Sequence, residues 1–110
     1  MDILSDYQGI KGCILILVFD AYRVEGHPEE TFQYHNIHVV YTKEAETADQ
    51  YIERTVHKIG RKHNVTVATS DGLEQIIIMG QGAARISARG FKDEIASAKQ
   101  QMREEWQERR

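Results

Sequence analysis

Residues 65–75, VTVATSDGLEQ, decide the fold class, because a short β-branched run passes straight into a polar turn and then into a helical pattern. In an open parallel sheet, ligands bind outside the carboxyl ends of the strands, where the following helices present their N-termini. Asp71 stands at such a junction. Two other segments repeat the arrangement. Residues 14–20, ILILVFD, end in Asp20, and residues 37–41, IHVVY, run into the acid-rich stretch 42–49, TKEAETAD, which carries Glu46 and Asp49. The expectation is an α/β chain with a mainly parallel sheet and three strand ends that converge on carboxylates.

Working outward, residues 14–19 are an unbroken apolar run of the kind buried on both faces of a parallel sheet. Residues 1–9 carry Ile3, Leu4 and Tyr7 at helical spacing before Gly9, which reads as the last turns of a helix. Residues 20–36 contain Gly26, His27 and Pro28 and read mainly as loop, long enough for a parallel crossover. Ala48, Ile52, Val56 and Ile59 recur at three- and four-residue steps and predict a helix, with Thr47 and Gln50 placed as a capping box and Gly60 or Asn64 at its end. A strand over 65–69, a helix over about 72–79 closed by Gly80 and Gly82, and a short strand at 85–87 follow. The last helix carries Phe91, Ile95, Ala98, Met102 and Trp106 on one stripe.

A chain of 110 residues with 41% hydrophobic and 28% charged residues fits one globular domain, residues 1–110. The apolar run 14–19 is too short to span a bilayer, and the start of the chain lacks the pattern of a signal peptide, so a cytoplasmic protein without a membrane partner is expected. Cys13 is the only cysteine, which excludes an internal disulfide and suits a reducing compartment. Beside an apolar strand it reads as a packing residue. A net charge of −3 excludes a broad basic surface of the kind that announces nucleic-acid binding.

Asp20, Glu46, Asp49 and Asp71 together would make an oxygen-rich pocket for a hard divalent cation such as Mg²⁺. Two carboxylates about 4 Å apart repel by roughly 4 kcal/mol at an effective dielectric of about 20, so clustered acids need a cation or shared protons. The plainer reading stays open beside it: Asp71 and Asp49 favour helix starts, Glu46 the positive end of a helix dipole, and Asp20 a turn. The histidines have poor zinc geometry, since His35 and His38 lie three apart at a strand entrance and point to opposite faces. Gly80-Gln81-Gly82 follows a helix and precedes a strand, the reverse of a dinucleotide fingerprint.

Four motifs in order, VFDAYRV (18–24), VVYTKEAETADQYIE (39–53), VATSDGLEQ (67–75) and GQGAARISARGF (80–91), resemble the YacP-like branch of the NYN domains, which are PIN-like nucleases. The resemblance covers nearly the whole chain. It implies a PIN-like three-layer fold with a mainly parallel sheet between helices, and acids that hold Mg²⁺ or Mn²⁺ for endoribonuclease chemistry on RNA. Carried over by motif, Asp49, Asp71 and Asp20 are the catalytic metal-site residues, with Glu46 in support. Lys43, Arg23, Arg85 and Ser70 are the candidates for holding RNA. The implied partner is RNA, messenger RNA in particular and with ribosome association as an alternative. A second reading is a catalytically inactive module that binds RNA or the ribosome.

Members of this family begin with an apolar strand ending in a D-G-Y-N type motif, and this chain has none. The expectation is a member lacking that first strand, with impaired activity. The family's topology would place the strand between residues 14–19 and 65–69, which leaves two apolar edges facing a gap. Either the edges close on each other or a second copy fills the gap, and a homodimer is expected.

Overall fold

The computed structural model describes residues 2–21, 23, 25–26, 28–60, 62–69 and 83–108. It opens on helix α1 (Asp2–Lys11), the short N-terminal helix its spacing predicts. Gly12, at φ 67°, ends it in the left-handed region, where its N–H donates to the carbonyl of Gln8 at 2.7 Å. Strand β1 (Ile16–Phe19) follows, then β2 (Glu30–Tyr34) and β3 (Ile37–Tyr41). Helix α2 (Ala48–Ile59) leads to β4 (Thr66–Ala68), and β5 (Ala84–Ile86) leads to the long helix α3 (Ala88–Glu108). The chain is thus mixed α/β.

β3 is the centre of a three-stranded sheet of order β1-β3-β2, parallel to β1 and antiparallel to β2. Ile37, Val39 and Val40 are all but fully enclosed, so the core sits on this strand. β4 and β5 pair in parallel as a second sheet. A smaller cluster of Val56, Val67 and Ala83, with Ile52 and Val65 packed against it, joins α2 to β4. α2 also touches β1 and so serves both sheets. Its start is the expected capping box: the Gln50 N–H donates to Thr47 Oγ1 at 3.1 Å and the Thr47 N–H to Gln50 Oε1 at 2.9 Å.

α1 is held against the hairpin turn. Asn36 Nδ2 donates to the Ser5 carbonyl at 2.9 Å, and the Tyr34 hydroxyl to Asp2 Oδ1 at 2.7 Å. α3 packs on α1 through an edge-on contact of Tyr7 with Phe91 and through Glu94, which accepts from the Tyr7 hydroxyl and pairs with Lys11. Burial, with the Glu94 charge second, raises the Tyr7 phenol above its ordinary value. The apolar stripe of α3 is covered only in its first half. Ala98 is buried, whereas Met102 and Trp106 are exposed.

Three expectations are corrected. The segment read as loop contains β2, because the two-residue turn at 35–36 folds residues 30–34 back onto β3 as its antiparallel partner. β1 is not buried on both faces: Ile16 and Phe19 are exposed, and among the described residues β1 has a strand partner, β3, on one side alone. Cys13 is exposed rather than packed, because the strand begins three residues after it. The mainly parallel sheet is realised in two pieces among the described residues, and the apolar edges of β1 and β4 do not close on each other. The helix expected over 72–79, Gly80 and Gly82 lie outside the described residues. Among those residues, no helix is long and apolar enough to cross a membrane.

Removing the cap of α2 tests this local reading. Thr47→Ala should cost about 1 kcal/mol of folding stability, measured as a lower urea midpoint with an unchanged slope; an unaltered midpoint would show that the capping box contributes nothing.

Candidate functional site

The register of β1 on β3 pairs Phe19 with Tyr41, so these parallel strands end on one rim. Asp20 and Thr42 are the next residues on each. β2 starts at the same rim, because it runs against β3 and Glu30 pairs with Tyr41. The connection 20–29 therefore crosses over the carboxyl end of β3. It is tied down there at three places. Thr42 Oγ1 accepts from the Ala21 N–H at 2.9 Å, Glu44 Oε2 from the Gly26 N–H at 3.0 Å, and Glu29 Oε1 from Arg54 at 2.9 Å.

Arg54 also donates to Glu46 Oε1 at 3.1 Å, and its guanidinium lies over the Tyr51 ring. Hydrogen bonds to Glu29 and then Glu46 raise its pKa further. The bridge joins the crossing loop, the β3–α2 connection and the helix. Ala45, just before Glu46, has φ 66°, an uncommon conformation for a residue other than glycine. On the sheet face below the rim, Phe19, Tyr41 and Phe32 form a row of near-parallel rings, with centroids 5.1 and 5.8 Å apart.

The expected site residues divide as follows. Asp20 is exposed on the rim, directly after β1. Asp49 is half-buried in the first turn of α2, where an acid complements the helix dipole. Glu46 reaches the same region, but its carboxylate is bound by Arg54. Lys43 and Arg23 are exposed near this rim, while Arg85 lies on β5 in the other sheet. Ser70 and Asp71 lie outside the described residues.

Carboxylate oxygens are the donors that a hard divalent cation takes, so the chemistry of Asp20 and Asp49 suits Mg²⁺ or Mn²⁺. Among the described residues, however, no three His, Cys, Asp or Glu side chains form a group that could hold a metal ion. The residues that sequence reasoning missed are those that shape the rim: Thr42, Glu44, Glu29 and Arg54. Their partners lie 18 to 25 residues away, beyond the reach of any local pattern. A surface recess lies elsewhere, between α1 and the exposed half of α3, lined by Asp6, Ile10, Met102 and Trp106.

Comparison with known proteins agrees with the motifs. The sequence profile of the YacP-like NYN domain matches residues 1–110. The protein YacP of Bacillus subtilis (strain 168) is 41% identical over 93 residues, covering 84% of this chain and 54% of the relative. A crystal structure of Rae1 (YacP) from Bacillus subtilis, in a tryptophan-to-leucine variant, superposes with a TM-score of 0.76 at 35% identity, over 94% of this chain and 59% of that one. A second crystal structure of Rae1 (YacP) gives 0.73, also at 35% identity, over 97% and 62%. The chain thus spans little more than half the length of the relatives it matches. A full-length family match, the identity to YacP and the shared fold lead to one conclusion: the chain belongs to the YacP-like NYN domain family.

Proposed function

We propose that this chain is an RNA-acting module of endoribonuclease type, with the rim above β1 and β3 as its site. The observation that carries the reading is the arrival of Asp20 and Asp49 at one end of the sheet, from the carboxyl end of β1 and the first turn of α2. The chain leaves this end along α2.

In this reading Asp49, Asp71 and Asp20 hold Mg²⁺ or Mn²⁺ between them, and Arg54 keeps Glu46 in place behind them. The chemistry the cation supplies is activation of a water for attack on a phosphodiester and stabilisation of the developing charge. Lys43, Arg23, Ser70 and Arg85 hold the RNA backbone. Messenger RNA, with or without the ribosome, is the substrate class, and the cytoplasm is the compartment. A second reading is an RNA- or ribosome-binding module without cleavage. A homodimer is part of the proposal. It is supported by the edge position of β1 and by the exposure of Ile3, Met102 and Trp106.

Mn²⁺ at millimolar concentration should raise the melting temperature, since a ligand that binds only the folded state stabilises it by mass action. Asp49→Asn, Asp71→Asn and Asp20→Asn should each shrink that gain; no response in the wild type would exclude a metal site in this chain. With Mn²⁺ present, single-stranded RNA should be cleaved only weakly by the wild type and left intact by Asp49→Asn. Binding without cleavage would decide for the second reading. Light scattering at micromolar concentration should report a dimer, and a mass of 12.7 kDa would exclude it.

A further inference from the structure

Thr42 carries the one polar side chain that is fully enclosed among the described residues. It follows the buried Val39 and Val40, in a place where valine would fill nearly the same space without the cost of enclosing a hydroxyl. The hydroxyl has a specific partner. Thr42 Oγ1 accepts from the Ala21 N–H at 2.9 Å, while the Thr42 N–H donates to the Phe19 carbonyl at 3.1 Å.

These two bonds take hold of the two peptide groups that flank Asp20, one through its carbonyl oxygen and the other through its N–H. A peptide unit is planar, so holding the unit on each side of one Cα fixes the φ and ψ between them. The main chain at Asp20 is thereby held on both sides.

We propose that Thr42 is a positioning residue of the rim site, whose hydroxyl sets the backbone of Asp20 and so aims its carboxylate. The inference rests on the reading of Asp20 as a site residue. Thr42 touches neither metal nor RNA and acts only through the main chain on either side of Asp20. Side chains that orient ligands in this indirect way typically cost 10–100-fold in metal affinity when they are lost.

The test compares Thr42→Val, which removes the hydroxyl and keeps the shape, with Thr42→Ser, which keeps the hydroxyl. Two quantities are read: hydrogen exchange at the Ala21 amide, and the Mn²⁺ concentration that gives half the thermal stabilisation. The serine variant should behave as the wild type in both. The valine variant should lose protection at Ala21 and need about tenfold more Mn²⁺. In an Asp20→Asn background the valine change should add nothing, because its effect passes through that carboxylate. If the valine variant does not fold, Thr42→Ser against Thr42→Ala repeats the comparison. The inference is overturned if serine is as damaging as valine, if the Mn²⁺ effect is undiminished in the Asp20→Asn background, or if Ala21 loses protection while Mn²⁺ binding stays the same. A wild type that ignores Mn²⁺ overturns the metal reading and this inference with it. A wild type that responds, beside a valine variant that responds equally, overturns this inference alone.

Discussion

The position of β3 is the constraint on which the rest depends. Among the described strands of its sheet it alone has a partner on each edge, and Ile37, Val39 and Val40 are almost wholly enclosed. Each such side chain contributes on the order of 1.5–3 kcal/mol through burial, a large share of the marginal stability of a small domain. α1 is fastened to the turn that feeds β3, α3 is fastened to α1, and the crossing loop lies over its far end. Few contacts in the larger sheet are more than one step from this strand.

Short-range features were legible in the sequence. The capping box of Thr47 and Gln50, the stripe of Ala48, Ile52 and Val56, and the stripe of the terminal helix are local patterns, and the structure has helices at those places. β2 was not legible as a strand. Gly26 and Pro28 announce a loop, and the five residues of β2 are too few to set their own alternation against that signal. The exposure of β1 was hidden for a different reason. Whether an apolar strand is central or at an edge depends on its neighbours, and its own residues do not record them.

The candidate site divides along the same line. Asp20 and Asp49 could be singled out because a strand or helix end followed or preceded by an acid is a feature of a few residues. Glu46 could be placed at a helix start, but nothing in its surroundings foretells Arg54, which is tied at once to Glu46 and to Glu29. That ion pair network sits largely at the surface, where such pairs add little to stability. Its significance is geometric, since one guanidinium on α2 fastens both the crossing loop and the β3–α2 connection. The near-parallel rings of Phe19, Tyr41 and Phe32 do the same across three strands, and a slip of register by one residue would turn one of those rings to the other face.

The turn at 35–36 has a consequence for how the chain finds this arrangement. It joins β2 and β3 through two residues, so their pairing closes the shortest loop in the sheet and carries the smallest entropic cost. Pairing β1 with β3 must bring together residues 22 apart, such as Ile16 and His38. Hairpins of this kind form in microseconds, whereas non-local pairings slow folding. The hairpin is therefore the natural first structure of the larger sheet, and the Ala21–Thr42 tie at the rim follows, because Ala21 is brought beside Thr42 only when β1 has docked.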